Sequence, residues 1–131
     1  MQGQRLHEYK ACLTLRHAKG IGPRTWKGLL DKYGSATQAL DNVQNWGKDC
    51  NVRPALVKDY LSKSWLEKSQ QEARMAMDAG MQVLLTTDPE FPHLLRNIPD
   101  PPLFLYYLGD VSLLENPMLA VVGARLCTAY G

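Results

Sequence analysis

The hydrophobic period of this chain changes once, at Gly80, and that change limits the folds open to it. Before Gly80 the apolar residues recur at helical spacing; after it they gather in short runs separated by prolines. A period of 3.6 suits a helix packed on one side, and short β-prone apolar runs suit strands. The sequence therefore predicts an α+β or α/β chain. Residues 1–80 form a helical domain and residues 81–131 carry strands.

Glycine and proline punctuate the helical part. Leu6, Tyr9, Leu13 and His17, with Ala18 beside it, share a face, which predicts a first helix over Leu6 to Ala18. Gly20 permits the positive φ that ends it, and Pro23 suits the first turn of the next helix. Trp26, Leu29, Leu30 and Tyr33 give that second helix its apolar stripe, and Gly34 closes it. Ser35-Ala36-Thr37-Gln38 has the form of a capping box and opens a short helix through Leu40. Arg53-Pro54 begins a fourth helix. A second box, Ser64-Trp65-Leu66-Glu67, starts a fifth that ends at Ala79.

Beyond Gly80 the sequence predicts strands at Gln82 to Thr87, Leu103 to Leu108 and Met118 to Val122. Their near-continuous apolar character suits a sheet covered on both faces. A short helix is expected within Glu90 to Ile98, and the prolines of Pro99 to Pro102 break it.

Charge is uneven although the net value is only +2. Met1 to Tyr33 holds seven Lys/Arg against two acids, and Met81 to Gly131 holds two against five. A basic start points mildly to an anionic partner, and a solvated basic helix face explains it equally simply. With 45% hydrophobic and 21% charged residues the chain is not of the disordered class. Cys12, Cys50 and Cys127 are far apart and odd in number, which predicts reduced thiols and a cytoplasmic protein. His7, His17 and His93 do not cluster, so no metal is expected. No apolar run reaches membrane-spanning length and no signal peptide is visible.

Two stretches suggest chemistry. In Ala18-Lys19-Gly20-Ile21-Gly22-Pro23-Arg24, a helix meets a glycine hairpin and then a second helix. Unpaired amides at the start of that second helix favour an anion. Gly20 and Gly22 let a phosphate approach, Arg24 and Lys27 add salt-sensitive attraction, and Ile21 anchors the turn. The same glycines would serve a tight turn in a protein-interaction domain that never meets DNA.

The other stretch is Met118 to Gly131. Here a strand runs into Gly123-Ala124-Arg125, and Thr128 is placed to cap a following helix. That is the layout of a phosphate-binding corner, with a guanidinium to grip an oxyanion. It lacks the further glycines of a dinucleotide fingerprint and the lysine of a Walker loop. An arginine bonded within the fold would look the same. No nucleophile stands near a base in the sequence, so no catalytic residues, no cofactor and no enzymatic activity are expected.

Three blocks together resemble the DNA-processing protein A family (DprA, also called Smf). They are the Gly-Ile-Gly hairpin, the stretch LLTTDPEFPHLLRNIPDPPLFLYYLGD, and the closing LAVVGARLCTAYG. The resemblance implies a helix-hairpin-helix or sterile-alpha-motif-like helical domain followed by the truncated start of a Rossmann-like domain. It implies a protein that binds single-stranded DNA, protects incoming DNA in natural transformation and helps load the RecA recombinase. It also implies a homodimer when complete, and no membrane. Gly123, Ala124 and Arg125 match the family's Gly-Ser-Arg corner. Ala124 removes the serine hydroxyl, which implies weaker anchoring.

The chain reads as a fragment, from gene truncation, proteolysis or cloning, and alone it is expected to bind DNA weakly or not at all. Its closing strand is expected to be poorly ordered, swapped, or paired with another copy. The same corner is similar to that of nucleotide-processing phosphoribohydrolases, which would make the complete protein an enzyme.

Overall fold

Proline and glycine set most of the helix boundaries in the structure, a computed structural model that describes residues 3–130. Helix α1 (Gly3–His17) is followed by α2 (Pro23–Tyr33), α3 (Ala36–Asp41), a 3-10 turn (Val43–Asn45), α4 (Trp46–Cys50), α5 (Pro54–Leu61) and α6 (Leu66–Asp78). Pro23 and Pro54 both sit in the first turn of their helices, where a missing N–H costs nothing. Gly34 closes α2 at φ 86°, its N–H donating to Leu30 O at 2.7 Å. After α6, Met81 N donates to Ala76 O and Gly80 takes φ 65°, the turn that only glycine adopts without strain.

Helix α1 is the centre of the molecule. The one-sided stripe expected of it is too narrow: Tyr9, Ala11, Cys12, Leu13 and Leu15 are all buried, while Leu6 is exposed. It packs on α3, α6 and the first strand. Its buried Glu8 carboxylate accepts from Ala36 N, Thr37 N and Thr37 Oγ1 at 2.6–2.9 Å. Ser35 Oγ takes Gln38 N, so α3 is capped from its own sequence and from 28 residues away.

Two expectations for the helical part fail. The Ser64 capping box does not form: α6 starts at Leu66, and Ser64 Oγ donates instead to Asp59 Oδ2 at 3.2 Å. Helix α4 was not expected, because Gly47 and its polar neighbours hide any period. Yet its Trp46 is fully buried, with Nε1 donating to Ala39 O at 2.6 Å.

Past Gly80, β1 (Gln82–Leu85) pairs antiparallel with β2 (Phe104–Tyr107), placing Val83 opposite Tyr106 and Leu85 opposite Phe104. A short helix α7 (His93–Arg96) lies between them, and a 3-10 turn (Val111–Glu115) follows. Val83, Leu84 and Leu85 are consecutively buried, so β1 is covered on both faces as its composition requires. The third strand is absent. Met118 to Val122 adopts no regular structure, and Leu119, Val121 and Val122 are about nine-tenths exposed. Extended backbone becomes a strand only by pairing, and among the described residues no strand joins β1 or β2. No helix follows Thr128 up to Tyr130. Gly131, expected in the first turn of that helix, lies outside the described residues.

The helical and strand parts share one core, in which Tyr9, Leu15 and Trp46 belong to the same cluster as Val83, Leu103 and Phe104. Polar ties reinforce it. Arg5 holds the Asp88 carboxylate with two nitrogens, and Asp88 also accepts from Leu85 N. Tyr9 OH lies 2.8 Å from Tyr106 OH, which donates to Glu72 Oε1 at 3.0 Å. His17 and Arg16 reach the other oxygen of Glu72. Burial, then the hydrogen bonds to Tyr9 and Glu72, push the Tyr106 phenol far above its ordinary value. No helix among the described residues is long and apolar enough to cross a membrane.

Candidate nucleic-acid interface

The hairpin between α1 and α2 is closed by its own backbone. Ala18 N donates to Thr14 O, and Ile21 N turns back to Ala18 O at 3.2 Å. Ile21 is 5% exposed and anchors the turn. The two glycines do different work. Gly20 takes φ 79°, and a Cβ there would stand 2.4 Å from Leu56 Cδ2. It is a packing glycine. Gly22 is extended, at φ −115° and ψ −177°, and a Cβ there would meet nothing within 4 Å. Neither backbone nor packing requires glycine at 22; its surface is open.

That open surface lies at the start of α2. Gly22 O accepts from Thr25 N and Trp26 N, both at 3.0 Å. The Gly22 and Arg24 amides take no backbone partner among the described residues, and no side chain caps the helix. The amides and the helix dipole therefore present partial positive charge to solvent. Arg24 is exposed beside them. It borders two shallow depressions, one shared with Gly20, Gly22 and Asp100, the other with Gly28, Asn51 and Arg53.

Lys27 falls elsewhere. Its ammonium pairs with Asp31 at 2.8 Å, and it lines a cleft of about 240 Å³ between α2 and the proline-rich segment. Trp26 spans that cleft's wall, its Nε1 donating to Pro101 O at 2.8 Å. The structure thus gathers Gly20, Gly22 and Arg24 and leaves Lys27 largely neutralised on another face. Gly123, Ala124 and Arg125 are exposed, with no strand before them and no helix after, so the phosphate corner is not assembled. No surface depression is lined by both sets of residues.

Arg53 was missed as a site candidate and read only as a helix start. The signal was its place immediately before Pro54, matching Gly22 before Pro23. The three cysteines are unpaired, and burial, followed by the Asp49 charge, pushes the Cys50 thiol up. No group of three or more His, Cys, Asp and Glu able to hold a metal occurs among the described residues.

Comparison with known proteins follows the same division. Residues 7–57 match the family model of the DprA-like N-terminal HHH domain, and residues 82–131 match that of DNA recombination-mediator protein A. The chain is 30% identical over 131 aligned positions to Protein Smf of Synechocystis sp. (strain PCC 6803), an alignment covering 91% of the chain and 31% of that relative. A 41-residue stretch is 44% identical to the DNA processing protein DprA of Streptococcus pneumoniae (strain R6), covering 31% of the chain and 14% of that protein. The chain thus spans about a third, or less, of the length of these curated relatives. No solved structure matches it. With both family models in chain order and relatives bearing both names, the chain belongs to the DprA/Smf family and corresponds to its N-terminal portion.

Proposed function

We propose that this chain is the hairpin-bearing part of a cytoplasmic protein that binds single-stranded DNA without chemical conversion. In that reading the complete protein shields incoming DNA during transformation, acts as a homodimer and delivers the strand to the RecA recombinase. The observation that supports it most is the open first turn of α2, where free amides, an unobstructed Gly22 and the exposed Arg24 coincide. Such a site attracts phosphate through charge and main-chain donors, which suits sequence-independent backbone binding. Arg125 remains the proposed anchor of a second phosphate corner, completed when Met118 to Val122 gains strand neighbours.

The test is anisotropy of a fluorescein-labelled dT20 strand with the 131-residue chain at low salt. Weak binding that falls as salt rises is expected, and Arg24→Glu should reduce it more than Lys27→Glu, whose charge Asp31 already offsets. Unchanged binding in both variants would move the helical part to the protein-interaction class. In the longer protein, Arg125→Ala should cost about 1.5–3 kcal/mol of binding, the range for a charged hydrogen bond.

A further inference from the structure

The turn from α4 to α5 repeats the hairpin from α1 to α2, position by position. Asn51 takes a left-handed φ of 54°, as Gly20 takes 79°. Val52, like Ile21, is 5% exposed. Arg53, like Gly22, is the extended N-cap, and Pro54, like Pro23, opens the helix. The two turns sit against each other, since Leu56 of α5 fills the space over Gly20. Together they line one depression of about 310 Å³, with Gly20, Arg24 and Thr25 on one side and Asn51 and Arg53 on the other.

The charge in that depression is one-sided. Arg24 and Arg53 are both exposed, and neither joins an ion pair among the described residues. No carboxylate lines it, whereas Asp100 lines the depression on the other flank of Arg24. A polyanion seated over Gly22 therefore gains by running toward Arg53 and loses by running toward Asp100. A guanidinium offers several donors in one plane, suited to phosphate oxygens.

We propose that Arg24 and Arg53 form one two-part grip on the sugar–phosphate backbone of a nucleic acid, each hairpin taking its own phosphate. This rests on the reading that the first hairpin meets nucleic acid and adds the direction in which the strand runs. The grip touches backbone only, so it is indifferent to base sequence.

The experiment titrates labelled dT20 and a labelled 20-base-pair duplex with the wild-type chain, Arg24→Ala, Arg53→Ala and the double variant, from 20 to 150 mM salt. Each single change should weaken dT20 binding about 3- to 10-fold and flatten the salt dependence by about 0.7 in log–log slope, the loss of one single-strand phosphate contact. Arg53→Lys should restore most of the slope. A duplex that binds more tightly, with the same sensitivity to both arginines, keeps the grip and identifies its source as double-stranded. If Arg53→Ala binds as wild type while Arg24→Ala is weakened, the two-part grip is wrong and the single hairpin stands. If both bind as wild type, the hairpin reading itself falls. Both side chains are exposed, so unchanged thermal melting verifies the fold of each variant.

Discussion

Two stretches of this chain carry the same promise of a phosphate site, and only one is built. The Gly20–Arg24 hairpin is assembled from residues that are neighbours in sequence: Ile21 N turns back three residues to Ala18 O, and Gly22 O begins the next helix. The Gly123–Arg125 corner would need Met118 to Val122 to pair with distant strands, and it stands exposed without them. A site closed by local hydrogen bonds is present whenever its helices are. A site at a strand end exists only once a sheet has formed around it.

That contrast can be broken at several points. The largest effect is expected at Gly20. Alanine there meets a strained backbone and the Leu56 side chain, and should cost about 2–3 kcal/mol in urea unfolding. A cost below about 0.5 kcal/mol, within the ordinary range for surface positions, would mean that the hairpin is not fixed by this glycine.

Tyr106→Phe tests the tie between helices and strands. It leaves Tyr9 without its acceptor and Glu72 without one donor, an expected loss of about 0.5–1.5 kcal/mol. The sign with pH follows from the raised phenols of Tyr9 and Tyr106. Their folded values lie above the ordinary value of 10.0. The unfolded chain therefore releases protons first. The stabilisation is complete below pH 10 and is lost as pH rises toward the folded values. The wild type should lose stability above pH 10 more steeply than Tyr106→Phe, as read by thermal melts along a pH series.

The smallest effects are expected where the surface is open. Gly22→Ala and Val121→Asp should each change stability by no more than about 0.5 kcal/mol, the range of exposed substitutions. A larger cost for Val121→Asp would show that the closing segment is covered in solution, and would erase the difference between the two sites.

What was legible in the sequence was what glycine, proline and local capping decide. The Pro23 and Pro54 starts, the Gly34 end and the Ser35 cap all follow from dihedral preference and one side-chain oxygen. What escaped was decided across the fold. Trp46 anchors a five-residue helix too short to show a period, and Glu8 caps a helix 28 residues away. The Ser64 pattern had the right letters, but Asp59 claimed the hydroxyl. At the candidate site, the glycines and Arg24 were readable as a motif. The loss of Lys27 to Asp31 and the recruitment of Arg53 were not, because each depends on which way a helix face turns.

The bond from the Trp26 indole to Pro101 O fastens the binding helix to the segment that feeds β2. Gly80, for all its freedom, is thus no swivel: Arg5, Tyr9 and Trp26 bridge it on three sides. A strand pulled at the glycine turn would transmit its load through the indole into the sheet, and the first slack in the chain comes after β2. Whatever follows Tyr107 is steered by the bound strand as a lever is steered by its grip.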